Sequence, residues 1–131
     1  LLPSGILKDR LRRFLEEDVG QGDLTTMLTV PPGAVAEAEV IVKEAGVVAG
    51  LEEALTLLES SGLRATALTT DGAEVKGKTA VIRVSGPART LLSLERTLLN
   101  LLARMSGIAT ATRRLVERVR SSGYETRIAC T

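Results

Sequence analysis

The sequence predicts an α+β domain that leads into the beginning of an α/β domain. Three observations point there. An amphipathic helical stretch opens the chain, short extended runs punctuated by turn residues fill positions 36–85, and two apolar helical stretches then feed a last short run that reads as a strand. With 131 residues and 44 % apolar content there is room for one well-filled core and the entry to a second unit. The division is placed between residues 1–106 and 107–131.

Leu7, Leu11, Phe14 and Leu15 share one face of residues 4–18 while Lys8, Arg12, Arg13, Glu16 and Glu17 occupy the others, the pattern of an amphipathic helix. Gly20 is placed to stop it, and glycines 20 and 22 loosen Asp18 to Thr26 into a loop. Pro31-Pro32-Gly33 marks a second break. Ala36 to Lys43 alternates about a β-branched centre, so a strand with one wet face is expected, followed by a second extended piece at 46–50. Leu51, Leu55 and Leu58 define a short helix that Ser60-Ser61-Gly62 ends. Arg64 to Thr69 reads as a strand, Asp71-Gly72 as a turn, and Thr79 to Ser85 as a strand with Ala80, Ile82 and Val84 inward. That makes about four antiparallel-type strands. Gly86-Pro87 opens a long helix, Ser106-Gly107 is expected to join it to another, and Ile108, Thr112, Leu115, Val116 and Val119 face inward on the second until Gly123 closes it. Glu125 to Thr131 reads as a strand without a turn or cap after it, as if cut in mid element.

The long helix carries the most pointed chemistry. Leucines 91, 92, 94, 98, 99, 101 and 102 surround Arg96, so the helix is expected to be deeply packed around a permanent cation. Ser93, Arg96, Thr97, Asn100 and Arg104 fall along one stripe, because positions three and four apart share a helix face. A guanidinium presents a planar fork that matches a carboxylate or phosphate, which makes anion capture one reading. A structural ion pair with an Asp or Glu elsewhere is the other.

Composition narrows the remaining classes. Seventeen basic against 16 acidic residues, with one Tyr and one Phe, give no case for nucleic acid. No apolar run has membrane-spanning length, and the Leu1-Leu2 start lacks the pattern of a signal peptide, so a cytoplasmic protein is expected. A single cysteine excludes an internal disulfide, and the absence of His leaves any chemistry to Arg, Lys, Asp and Glu. Cys130 reads as a small core residue of the last strand or as a reactive thiol. Glu16, Glu17, Asp18 and Asp23 supply carboxylates for a hard cation, or a solvated helix end with a turn residue. Gly46 and Gly50 match no phosphate-cradling loop, and Lys76-Gly77-Lys78 reads as an exposed basic turn. Ser106 to Thr110 either aims backbone N–H groups at an anion or is a plain helix cap.

Four stretches occur in an order that resembles the quinolinate phosphoribosyltransferase family. They are Glu17-Asp18-Val19-Gly20-Gln21-Gly22-Asp23-Leu24-Thr25-Thr26, Gly86-Pro87-Ala88-Arg89, Glu95-Arg96-Thr97-Leu98-Leu99-Asn100-Leu101-Leu102, and Ser106-Gly107-Ile108-Ala109-Thr110-Ala111-Thr112. The resemblance spans almost the whole chain, with Arg127-Ile128-Ala129-Cys130-Thr131 at the spacing of a first barrel strand. It implies an N-terminal α/β sandwich with a roughly four-stranded antiparallel sheet and flanking helices, followed by the first helix and strand of an α/β barrel. It further implies a homodimer that joins quinolinate to phosphoribosyl pyrophosphate with Mg²⁺, giving nicotinate mononucleotide, pyrophosphate and CO2 in NAD biosynthesis. Arg96 would bind a quinolinate carboxylate in the neighbouring subunit's site, with Asn100 and Arg104 in support. Thr131 would open the family's Thr-Arg-Lys word, whose Arg and Lys would follow at positions 132 and 133. No catalytic residue and no metal ligand is expected within these 131 residues, and Cys130 stands where the family often has aspartate. A paralogous transferase-like protein associated with molybdate transport shares the fold and is a second reading of these words, and a lipoyl-like module at 71–85 is an alternative of another class.

Overall fold

The computed structural model describes residues 5, 6, 9–11, 13 and 24–129. Residues 5, 6, 9–11 and 13 are helical, as expected, and Leu11 reaches the core. The rest of that helix, Glu16, Glu17, Asp18, Asp23, Cys130 and Thr131 lie outside the described residues.

The elements run α1 (Leu24–Thr29), β1 (Val35–Val42), β2 (Gly46–Val47), α2 (Leu51–Ser60), β3 (Arg64–Ala67), β4 (Glu74–Val75), β5 (Thr79–Pro87) and α3 (Ala88–Ser121). The class is α+β with antiparallel pairing. Strands β1, β5 and β3 form one sheet in that order, and β2 pairs with β4 in a separate ribbon. Among the described residues the expected sheet of about four strands is five strands in two sheets. β2 ends at Val47, and after Val48 and Ala49 the left-handed φ of 97° at Gly50 turns the chain into α2.

One face of the main sheet is the core. Along β1 positions 36, 38, 40 and 42 are half-buried and 35, 37, 39 and 41 exposed, the period of a strand with one wet side. Ala38, Val40, Ala65 and Ala67 pack against a cluster that includes Leu51, Ala54, Leu57, Leu58, Val81, Ile82, Val84, Leu94 and Leu98. Ala80 is only half-buried, against expectation, while Val81 and Ile82 are both buried. Val40 pairs with Ile82 and Ile41 with Ala80, so Val81 is an extra residue that interrupts the alternation. On the wet face Arg83 grips Glu39 across the strands at 2.8 Å.

The helix ends follow local chemistry. Gly62, at φ 83°, donates to the Glu59 carbonyl while Leu63 donates to Leu58, and buried Leu63 tucks beneath the end of α2. Gly123 closes α3 the same way, with N–H bonds from Gly123 to Arg120 and from Tyr124 to Val119. The start of α2 is capped from a distance by Asp71, whose Oδ1 accepts the Leu51 N–H at 3.0 Å. Leu24, Thr25 and Thr26 belong to α1 rather than to the expected loop. The Arg89 guanidinium holds the end of that short helix, donating to the Val30 and Met27 carbonyls at 2.8 and 2.9 Å.

Two expectations at the C-terminal end are corrected. α3 is one continuous helix of 34 residues through Ser106 and Gly107, and the Ser106 hydroxyl accepts the Ala49 N–H instead of capping a new helix. Past Leu102 none of its residues is buried: Val116 and Val119 are half-buried, while Ile108, Thr112 and Leu115 are exposed. Residues 125–129 form no strand, as no other strand of the described residues lies beside them to make a ladder. No helix among the described residues is long and apolar enough to cross a membrane.

Candidate functional site

α3 lies across the core with Leu94, Leu98 and Leu102 buried beneath it. Residues at this spacing occupy one face, which leaves the opposite face free of the core. That free face carries Arg96, Asn100 and Arg104, all exposed, each one helical turn from the next. The five-residue polar stripe is divided by the packing. Thr97 is buried and Ser93 half-buried, while the two arginines and the asparagine point outward. Arg96 is thus exposed rather than sunk among leucines, because one apolar face satisfies the core and Leu92 and Leu99 remain 40 % and 42 % exposed beside it.

The ion-pair reading of Arg96 finds no support among the described residues. Among the described residues the ion pairs are Arg83 with Glu39 and Arg113 with Glu74, so Arg96 and Arg104 have no carboxylate partner there. The field along this helix is positive: α3 contains seven arginines and two glutamates. Arg89 is committed to the α1 carbonyls, which leaves Arg96 and Arg104 as the cations on offer along its N-terminal half. An exposed guanidinium flanked by leucines, with an amide one turn away, is suited to grip a carboxylate that arrives with an apolar surface around it.

The other candidates offer less. A 420 Å³ cavity between the β2–β4 ribbon and α3 is lined by both signs of charge, and its Arg113 is closed on Glu74 at 2.7 Å. The Ser106–Thr110 segment has no free N–H groups to aim at an anion, since it lies inside a continuous helix. Lys76-Gly77-Lys78 does not project as a displayed tip. The Lys78 N–H donates to the Val42 carbonyl, and a Cβ at Gly77 would lie 2.6 Å from the Lys43 carbonyl oxygen. Among the described residues no three His, Cys, Asp or Glu side chains converge to hold a metal.

Asp71, Arg89, Ser106 and Thr110 have structural duties that the sequence did not disclose. Asp71-Gly72 was legible as a turn, but its bond to Leu51 spans 20 residues. Ser106 and Thr110 dock α3 against residues 47–49, and the signal available beforehand was their spacing of four on a helix.

Residues 23–106 match the family model described as quinolinate phosphoribosyl transferase, N-terminal domain. The chain is 41 % identical over 121 residues to a probable nicotinate-nucleotide pyrophosphorylase (carboxylating) of Methanocaldococcus jannaschii, covering 92 % of this chain and 42 % of that protein. It is 41 % identical over 120 residues to the nicotinate-nucleotide pyrophosphorylase (carboxylating) of Mycobacterium leprae, covering 88 % of this chain and 42 % of that one. Among solved structures it resembles NadC from Streptococcus pyogenes with a TM-score of 0.86 at 30 % identity, covering 92 % of this chain and 44 % of that one. The chain thus spans less than half the length of the relatives it matches.

Proposed function

Because the chain belongs to the quinolinate phosphoribosyltransferase family through its N-terminal domain, we propose that it is part of an enzyme making nicotinate mononucleotide from quinolinate and phosphoribosyl pyrophosphate. On this reading residues 1–106 form the N-terminal sandwich domain, and residues 107–131 lead into the α/β barrel of a cytoplasmic homodimer whose active sites are shared. The observation that carries the reading is Arg96, an exposed arginine without a carboxylate partner among the described residues, standing between Leu92 and Leu99 on a face the core leaves open.

Quinolinate is a dianion and phosphoribosyl pyrophosphate a polyanion, so cations must offset their repulsion before the ring nitrogen can approach the anomeric carbon. Arg96 supplies one such cation, reaching across the dimer to a quinolinate carboxylate, with Asn100 and Arg104 one and two turns along the helix in support. Thr131 begins the word that contributes the next substrate contacts. Among the described residues no set of carboxylates converges to hold Mg²⁺, and on this reading its ligands belong to the barrel. When bound, Mg²⁺ neutralises the leaving pyrophosphate.

The experiment is CO2 release from carboxyl-labelled quinolinate by the full-length protein. Release that needs both phosphoribosyl pyrophosphate and Mg²⁺ is expected. No release from folded protein would refute the reading and favour the paralogue associated with molybdate transport.

A further inference from the structure

We propose that Ser106 and Thr110 are positioning residues that pin α3 in the rotation and axial register that aim Arg96. This rests on the functional reading above. The apolar contacts beneath α3 do not define such a register by themselves, since burial is non-directional and leucines repack under small slides and rotations. Hydrogen bonds are directional.

The bonds in question join a helix to the free edge of β2 and to Ala49 just beyond it. Gly46 and Val48 turn their backbone groups toward the 72–75 side of the ribbon, where the Val48 N–H donates to Ala73 at 3.0 Å and Gly72 donates to the Val48 carbonyl at 2.8 Å. Val47 and Ala49 face the other way and meet α3. The Val47 N–H donates to Thr110 Oγ1 at 2.9 Å and the Ala49 N–H to Ser106 Oγ at 3.1 Å, while the Ser106 hydroxyl donates back to the Ala49 carbonyl at 3.2 Å. Thr110 spends its own proton on the Ser106 carbonyl at 2.7 Å, which holds its oxygen toward the strand as an acceptor.

The two periods coincide. Residues i and i+4 of a helix are about 6 Å apart along its axis, and residues i and i+2 of a strand are about 6.6 Å apart. A pair of hydroxyls at helical spacing therefore replaces the neighbouring strand that this edge lacks, and a slide of one residue breaks both N–H bonds. Two glycines make the approach possible. A Cβ at Gly46 would lie 2.8 Å from Thr110 Oγ1, and one at Gly50 would lie 2.7 Å from Met105 Sδ.

Arg96 lies ten residues from Ser106 on the same unbroken helix, about 15 Å along the axis. A rotation or slide at the latch is carried to it directly, and a guanidinium fork tolerates little misalignment when it must meet a carboxylate in a second subunit.

The test is a double-mutant cycle in the full-length enzyme, combining Ser106→Ala/Thr110→Val with Arg96→Ala and reading KM for quinolinate, KM for phosphoribosyl pyrophosphate and kcat. The latch pair is expected to raise KM for quinolinate about tenfold in the wild-type background and less than about twofold once Arg96 is gone, with KM for phosphoribosyl pyrophosphate unmoved. Thr110→Ser, which keeps the hydroxyl, is expected to restore KM in a Ser106 background. Gly46→Ala, which displaces Thr110 without removing any polar group, is expected to reproduce the rise. Should the double variant fail to fold, these two single variants decide the matter. Equal effects in both Arg96 backgrounds, or lost thermal stability with unchanged KM, would overturn the positioning role alone. A wild-type enzyme that does not turn over quinolinate would remove the functional reading and this proposal with it.

Discussion

Asp71→Ala isolates one hydrogen bond that ties the β3–β4 loop to the start of α2. The carboxylate accepts the N–H of Leu51, a residue 3 % exposed, at 3.0 Å. Removing the acceptor leaves a largely buried donor without its partner, which costs about 1–3 kcal/mol, and loss of a helix cap measured in other proteins costs about 0.5–2 kcal/mol. The two ranges describe the same bond and overlap near 1.5 kcal/mol. For a domain of about 100 residues that corresponds to a fall in Tm of roughly 6–10 °C. Asp71→Asn keeps an acceptor oxygen in place, so its expected cost is less than about half as large. Thermal and urea unfolding followed by circular dichroism read both variants. If Asn costs as much as Ala, or if neither moves the midpoint, the capping argument is wrong.

Three further outcomes follow from the packing. Leu57 is fully buried at the centre of the core, and Leu57→Ala is expected to cost about 2–5 kcal/mol in urea unfolding. Arg83→Ala removes an ion pair whose side chains remain 63 % and 39 % exposed, so less than about 1 kcal/mol should be lost, again by urea titration. The 131-residue chain is expected to self-associate through exposed Leu92, Leu99, Ile108 and Leu115, and Leu99→Glu should shift it toward monomer in sedimentation velocity. A clean monomer of the unmodified chain at micromolar concentration would contradict that surface.

Where local pattern and tertiary packing agreed, the elements were readable in advance. β1, α2 with its Gly62 stop and the turn at Asp71-Gly72 all follow from alternation, leucine spacing and glycine chemistry. β5 was placed correctly, but the extra residue at Val81 reverses part of its inward face, and nothing in Thr79 to Ser85 marks a bulge. The break expected at Gly107 failed for a tertiary reason: a glycine inside a helix costs only about 1 kcal/mol, and the bonds of Ser106 and Thr110 to residues 47–49 hold the helix through it. Two-residue β4 carries too little sequence to declare itself.

The candidate site was legible as a residue but not as an environment. The spacing of Arg96, Asn100 and Arg104 put them on one face, and the structure keeps them there. Leucine count overstated the burial, because a helix needs only one apolar face for its own core, and the surplus leucines 92 and 99 remain partly exposed. Among the described residues Arg96 has no carboxylate partner, and Leu92 and Leu99 leave apolar surface beside it.

Complementation in mixed dimers of the full-length enzyme tests the action of Arg96 across the subunit boundary most directly. One subunit carries Arg96→Ala and the other an inactivating lesion in the barrel, and each homodimer alone should turn over little quinolinate at concentrations near the wild-type KM. Action in trans predicts that the purified heterodimer regains about half the wild-type quinolinate turnover, because one of its two symmetry-related sites is whole. A heterodimer as inactive as its parents would contradict the central claim.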